Sequence, residues 1–264
     1  MGKIDVNNLT VTFQDRNSVF TALDHVSFHI EEGEFVCLVG HSGCGKSTLL
    51  RVLSGLQEKT SGSVTIDGKE VTGPGADRTV VFQQYSLFPW MTARRNILFG
   101  LEQAHRGNRR EIAMIADHYL ERVGMKEAAD KYPFQLSGGM RQRVAIARAL
   151  AIDAEIILLD EPFGALDAKS RASLQALLTE LWEKGKRKTI LFVTHDIDEA
   201  ILLSDRILFM SPGRVSASVP VGLDRPRRKK QLTGEACFCS IRKELVDLFY
   251  ESDRTGTERK DDEE

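Results

Sequence analysis

The sequence predicts an α/β protein with a mostly parallel sheet, and three observations support this fold class. Apolar runs typical of buried strands alternate with helical segments through much of the 264 residues. One run, Phe35 to Val39, leads into a glycine-rich loop and then a helix. Another run, Ile156 to Leu159, is followed by two acidic residues, then by a helix and the strand Ile190 to Val193. Strands joined by helices in this way are expected to lie parallel.

The residues before and just after the glycine-rich loop predict an additional, antiparallel region. Val26, Phe28 and Ile30 alternate with polar neighbours, which is typical of a strand with one buried face. Val64 to Ile66, followed by Asp67-Gly68, is typical of a β-hairpin. We therefore expect an N-terminal antiparallel β region in addition to the parallel sheet.

Three stretches predict helices. Lys46 to Leu56 follows the glycine-rich loop, and residues 84–150 are rich in Arg, Glu and Ala, which favours a mostly helical insertion. Further on, five apolar residues at helical spacing form one core-facing stripe: Leu174, Leu177, Leu178, Leu181 and Trp182. The charged segment 251–264 has no apolar periodicity, so we predict that it is disordered.

Composition and charge exclude several classes of protein. With 36 basic and 38 acidic residues the net charge is only −2, so no global field indicates a nucleic-acid partner. No apolar run is long enough to cross a bilayer, and the first residues do not fit a signal peptide.

Four cysteines are too few for a disulfide scaffold. Cys37 and Cys44 are expected to be reduced, and Cys237 and Cys239 lack a second pair at zinc spacing.

Nine consecutive residues fit the pattern of a phosphate-binding loop between a strand and a helix. Successive backbone N–H groups of such a loop cradle nucleotide phosphates, and the helix N-terminus favours negative charge. Lys46 is expected to contact the β- and γ-phosphates, and the Ser47 hydroxyl to bind Mg²⁺. The nine residues are Gly40, His41, Ser42, Gly43, Cys44, Gly45, Lys46, Ser47 and Thr48.

The two carboxylates after the strand Ile156 to Leu159 suit the chemistry of phosphate hydrolysis. Asp160 is expected to hold the magnesium ion, through a water molecule. Glu161 stands one residue further, where a carboxylate can orient or deprotonate an attacking water. Surface acids that merely cap a strand are the alternative, which the Asp-Glu-Pro triplet directly after an apolar strand disfavours.

A third motif, Leu136-Ser137-Gly138-Gly139-Met140, lies between the other two. Ser137 can cap a helix, while Gly138 and Gly139 allow the backbone to approach a phosphate closely. The three motifs in this order resemble those of the ATP-binding subunits of ABC transporters. The resemblance implies a P-loop NTPase core that uses ATP and Mg²⁺. It also implies that Ser137, Gly138 and Gly139 face the γ-phosphate of ATP held by a second copy of the chain.

The same resemblance implies roles for four further positions. Gln83 corresponds to the glutamine that senses Mg²⁺ and links the site to the helical insertion. Asp167, in Ala165-Leu166-Asp167, belongs to the loop that crosses the dimer interface. His195 matches the histidine that contacts the γ-phosphate. Phe13 aligns with the aromatic residue that stacks on adenine, with Phe20 as the alternative and a core role open for both.

The predicted domain organisation follows from these assignments. A single ABC ATPase domain is expected over 1–230, with its nucleotide-binding core in 1–83 and 151–215 and a helical subdomain in 84–150. A C-terminal extension covers 216–250 and the disordered tail 251–264. The basic run Arg225 to Lys230 beside prolines is predicted to be a solvated linker.

Within the family, three segments look like the nitrate, sulfonate and taurine import group: Gly73 to Arg78, Leu87 to Trp90 and Asp224 to Arg227. The resemblance therefore implies an ATPase that powers uptake of a small anion from the cytoplasmic face of the membrane. Its partners would be transmembrane permease subunits, a second copy of the chain and, indirectly, an extracytoplasmic solute-binding protein. Leu87 to Met91 would push on a cytoplasmic helix of the permease.

A soluble ABC-type ATPase of DNA repair or translation is the alternative. Such proteins typically carry two cassettes or a long coiled-coil insertion, and this sequence has neither. The transported solute is not encoded here, because the permease and the solute-binding protein select it.

Overall fold

The computed structural model describes residues 2–15, 18–83, 86–105, 107–184, 188–227 and 234–261. Its strands are β1 (Ile4–Asp15), β2 (Ser18–Ile30), β3 (Phe35–Gly40), β4 (Ser61–Ile66), β5 (Lys69–Glu70), β6 (Arg78–Val81), β7 (Ile156–Asp160), β8 (Thr189–Val193), β9 (Arg206–Ser211) and β10 (Arg214–Pro220). Its α-helices are α1 (Lys46–Leu53), α2 (Ala93–Gln103), α3 (Arg109–Arg122), α4 (Gly138–Ile152), α5 (Ala168–Lys184), α6 (Ile197–Leu203) and α7 (Ala236–Asp261). Two 3₁₀ turns, Lys126–Ala128 and Pro133–Gln135, precede α4.

The chain divides into two compact units. The first contains the chain up to Gly75 and from Thr189 onward, and the second is Ala76–Lys188. The fold is α/β with parallel strand pairs and an N-terminal antiparallel region, as the sequence predicts.

The first unit holds an antiparallel sheet and a mostly parallel one. β1 pairs antiparallel with both β2 and β4, so that Ile4 lies opposite Ile30 on one side and Ile66 on the other. All three isoleucines are buried, which explains why the alternating pattern of this region gives one covered face. In the other sheet β3 pairs parallel with β8 and β9, and β10 adds an antiparallel edge. β3 and β8 are buried along their whole length, as uninterrupted apolar runs predict.

The second unit combines a parallel strand pair with helices. β6 and β7 pair in parallel, with Val81 opposite Leu159. Helices α2 and α3 both pack on α4, and α4 also packs on β6. The unit is thus larger than the predicted helical insertion, because the pairing of β6 with β7 and the packing of α4 join these elements together.

Part of the segment predicted to be disordered, 251–264, is helical. Helix α7 continues to Asp261, although the segment from 251 onward lacks apolar periodicity. Extending an existing helix fixes one residue for each new hydrogen bond, so a packed helix can propagate into a charged segment. Residues 262–264 lie outside the described residues.

Candidate functional site

The phosphate loop of the first unit connects β3 to α1. Gly45 stands at the N-cap of α1 with φ 107°, a left-handed conformation that glycine adopts without strain. A Cβ atom at Gly45 would lie 2.6 Å from the carbonyl oxygen of Ala22, so a larger residue would displace the loop. The buried Lys46 Nζ donates to the carbonyl oxygens of Gly40 and His41, at 2.7 Å each. Nucleotide phosphates suit this loop because a cation and a helix N-terminus occur together in it.

His195 lies at the same sheet edge as the phosphate loop. β8 ends at Val193, which pairs with Leu38 of β3, and the backbone N–H of Thr194 donates to the Leu38 carbonyl at 3.2 Å. The exposed His195 follows directly. Parallel strands that end together bring their following residues to one edge, which is where ligands bind in α/β sheets.

The two candidate adenine-stacking residues are direct neighbours across strands. Phe13 of β1 pairs with Phe20 of β2, and the two residues are 40% and 60% exposed. Residues directly opposite each other in an antiparallel pair share a face of the sheet. The core role considered for them does not fit this exposure. Both rings are suited to stack on a planar base from the same face.

Gln83 and Glu161 meet in the second unit. Gln83 follows β6 and Glu161 follows β7, and Gln83 Nε2 donates a hydrogen bond of 3.0 Å to Glu161 Oε2. Glu161 has φ 44°, an uncommon left-handed conformation for a residue with a side chain. Such conformations are concentrated at functional sites. Asp160, the last residue of β7, is 6% exposed.

The Ser137 motif begins helix α4. Ser137 is the N-cap residue, and its hydroxyl accepts a hydrogen bond from the backbone N–H of Met140 at 3.3 Å. Ser137 is exposed. Gly139 lies close to the next loop, because a Cβ atom added to it would be 3.3 Å from the carbonyl oxygen of Ala165. The Ser137 motif therefore lies against the loop that contains Asp167.

Asp167 begins the next helix in the same manner. Its carboxylate accepts a hydrogen bond from the backbone N–H of Ser170 at 2.9 Å, just after the start of α5. Hydrogen bonds from the side chain and backbone of Ser170 hold the pKa of Asp167 below its usual value. The carboxylate is exposed and stays ionised at neutral pH.

The segment from Leu87 to Met91 is only partly exposed. Leu87 is buried, whereas Trp90 is 69% exposed and contacts the ring of Phe88. The fully buried Asn96 of α2 holds this segment, a role that sequence reasoning missed. Its amide nitrogen donates to the carbonyl oxygens of Phe88, Met91 and Thr92, and its amide oxygen accepts from the backbone N–H of Phe88. A buried amide with several backbone partners fixes the shape of a loop.

The prediction of a solvated linker is wrong for Arg225 and Arg227. Arg225 Nη2 donates to the Leu203 carbonyl at 2.6 Å and to Asp205 at 3.0 Å. Arg227 Nη1 donates to the carbonyls of Ile201 and Ser204, and burial lowers the pKa of Arg227 to about 10. Carbonyls at a helix C-terminus lack partners within the helix and attract cations. The two arginines thus cap α6; residues 228–230 lie outside the described part of the chain.

Each residue that the sequence predicts as a magnesium ligand carries an oxygen donor. Asp160 supplies a carboxylate, Ser47 a hydroxyl and Gln83 an amide oxygen, and hard cations such as Mg²⁺ prefer oxygen ligands. The bond from Gln83 to Glu161 uses the amide nitrogen, so the oxygen of that amide is the atom suited to a cation. In the described ranges, no helix combines the length and apolar character needed to cross a membrane.

Comparison with known proteins gives one family match and several similar proteins. Residues 23–164 match the family described as ABC transporter. A nitrate import ATP-binding protein, NrtD of Synechococcus elongatus, is 46% identical over 90% of this chain and 88% of its own. A bicarbonate transport ATP-binding protein, CmpD of Synechocystis sp., is 42% identical over 94% of this chain and 89% of its own.

A solved structure is also similar. It is an ATP-binding cassette described as dimeric, in a post-hydrolysis state bound to ADP and Pi. The likeness has a TM-score of 0.77 at 36% identity and covers 84% of this chain and 100% of the solved one.

Proposed function

The chain belongs to the ATP-binding, ATP-hydrolysing subunits of ABC transporters, and on that basis we propose that it powers import of a small anion. The observation that carries the anion assignment is the similarity to two transport subunits whose names specify nitrate and bicarbonate. Both are small, singly charged anions with a planar oxygen-rich group. The segments Gly73 to Arg78 and Asp224 to Arg227 support the same group of importers.

In the proposed cycle two copies bind two ATP molecules head to tail. The phosphate loop of one copy, residues 40–48, holds the phosphates, while Ser137, Gly138 and Gly139 of the other copy approach the γ-phosphate. The similarity to a cassette described as dimeric supports this arrangement. So does the exposure of Ser137 at the N-terminus of a 15-residue helix, where the helix dipole attracts an anion.

Glu161 is the proposed general base. It takes a proton from the attacking water, and the hydrogen bond from Gln83 orients its carboxylate for that task. His195 contacts the γ-phosphate, and Phe13 or Phe20 stacks on adenine. Asp160, with Ser47 and Gln83, would hold Mg²⁺, whose charge offsets that of the phosphates. Asp167 would lie at the interface between the two copies.

Permease subunits are the proposed membrane partners. The Leu87 to Met91 segment presents Trp90 to solvent on a backbone that Asn96 holds in place. A large exposed aromatic residue on a fixed loop is typical of a protein-binding surface. The chain would then work at the cytoplasmic face of the membrane, with an extracytoplasmic solute-binding protein acting through the permease.

Uptake in reconstituted vesicles tests this function. The chain would be purified from membranes with its permease, placed in proteoliposomes with ATP on the side of the chain, and supplied with a solute-binding protein. We expect ATP-dependent uptake of nitrate, bicarbonate, a sulfonate or taurine, and none with Glu161→Gln. Recovery of the chain with ribosomes or DNA, and never with a permease, would contradict the proposal.

A further inference from the structure

Helix α7 contacts the phosphate loop of its own unit through Phe249. The Nε2–H group of His41, the second residue of the loop, donates to the Phe249 carbonyl oxygen at 3.1 Å. The two rings also meet edge to face, with centroids 4.9 Å apart. The Phe249 ring also packs edge to face on the fully buried Phe209 of β9, with centroids 4.9 Å apart. Phe249 thus connects the loop to the sheet core.

The same helix makes a second contact close to His195. Arg242 Nε donates to Asp198 Oδ1 at 3.0 Å, and Asp198 lies in the first turn of α6. That helix begins with the N-cap residue Asp196, directly after His195. Helices α6 and α7 also pack against each other. One C-terminal helix therefore contacts both the phosphate loop and the helix that directly follows His195.

His41 links the helix to the phosphate-binding lysine. Its imidazole bonds to Phe249, while its backbone carbonyl accepts from Lys46 Nζ at 2.7 Å. A fixed His41 therefore also fixes one of the partners that place the Lys46 ammonium group. Ordering a loop before its ligand arrives removes part of the entropic cost of binding.

We propose that Phe249 is a positioning residue through which docking of helix α7 raises the nucleotide affinity of the phosphate loop. This inference rests on the proposed role of residues 40–48. Because linkage is reciprocal, bound nucleotide must strengthen the docking of α7 by the same factor. Any partner that draws α7 away from His41 would then release nucleotide.

Substitution of Phe249 separates positioning from catalysis. For Phe249→Ala we expect the KM for ATP and the Kd for ADP to rise about tenfold, within the usual range of coupling between sites, with kcat changed less than about twofold. The matched control is Tyr250→Ala, which removes the neighbouring aromatic residue of the same helix; Tyr250 is 66% exposed. Wild-type KM and Kd in Phe249→Ala, with or without a fall in kcat, would overturn the proposal.

Amide hydrogen exchange of the wild-type protein tests the same coupling without a substitution that could impair folding. We expect saturating ADP to slow amide hydrogen exchange in α7 around residues 241–249 as well as in the phosphate loop. Slower exchange in the loop alone would overturn the coupling while leaving the loop's role intact. No effect of ADP in either segment would contradict the role of the loop itself, so the two failures are distinguishable.

Discussion

Gln83 Nε2 donates a 3.0 Å hydrogen bond to Glu161 Oε2, which joins the residues that follow two paired parallel strands. The contact brings together an amide and a carboxylate that are 78 residues apart in sequence. Glu161 has a left-handed backbone conformation, which is strained for a residue with a side chain. The end of β7 is therefore strained at the residue that Gln83 contacts.

Replacement of Glu161 tests its role as general base. Glu161→Gln keeps the size of the side chain but removes the proton acceptor, so ATP turnover should fall by at least about 100-fold. Nucleotide binding should persist, and a nucleotide-bound dimer should accumulate on size-exclusion chromatography. Glu155→Gln is the matched control, since Glu155 is exposed and directly precedes the same strand. Wild-type phosphate release from Glu161→Gln would refute the assignment.

Asn96 should contribute strongly to stability. Asn96→Ala leaves the carbonyls of Phe88, Met91 and Thr92 without their common donor, which should lower the free energy of unfolding by about 2 kcal/mol or more. Urea denaturation measures the change. The adjacent Arg95→Ala breaks only a surface ion pair with Glu102 and should cost less than about 1 kcal/mol. Equal losses in the two variants would show that Asn96 does not hold the loop.

The four cysteines should react with iodoacetamide in two groups. Cys237 and Cys239 are exposed, whereas Cys37 and Cys44 are buried. Burial raises the pKa of both Cys37 and Cys44, so less thiolate is present near neutral pH and alkylation is slower. Mass spectrometry of the native protein should show modification of Cys237 and Cys239 first. Early labelling of Cys44 would mean that the phosphate loop opens more than its packing indicates.

The parts of the candidate site that the sequence predicts are those formed by a few consecutive residues. The loop between β3 and α1, the strand end at Asp160 and the N-cap position of Ser137 each depend on a few consecutive residues, so the sequence predicts their local structure. The pairing of Phe13 with Phe20 depends on strand register, which β-bulges shift within β1 and β2. The sequence alone therefore leaves both rings as candidates for stacking on adenine.

Contacts between distant segments escaped prediction for a physical reason. The basic run containing Arg225 and Arg227 has the composition of a linker, and only the fold brings it to the unpaired carbonyls of α6. In the same way, nothing local to Phe249 indicates His41, 208 residues earlier. Leu87 is buried and Trp90 is exposed in one short segment, and the sequence does not show the hydrogen bonds by which Asn96 fixes that backbone.

Mixing two inactive variants tests most directly whether two copies complete each other's site. Lys46→Ala disables one copy's phosphate loop, and Ser137→Arg blocks the motif that it offers to its partner. In a mixed dimer both defects fall in one composite site, and the other site is intact. An equimolar mixture should regain about a quarter of wild-type ATP turnover, since about half of the dimers are mixed and each has one working site. A mixture no more active than either variant alone, under conditions in which mixed dimers form, would contradict the shared site.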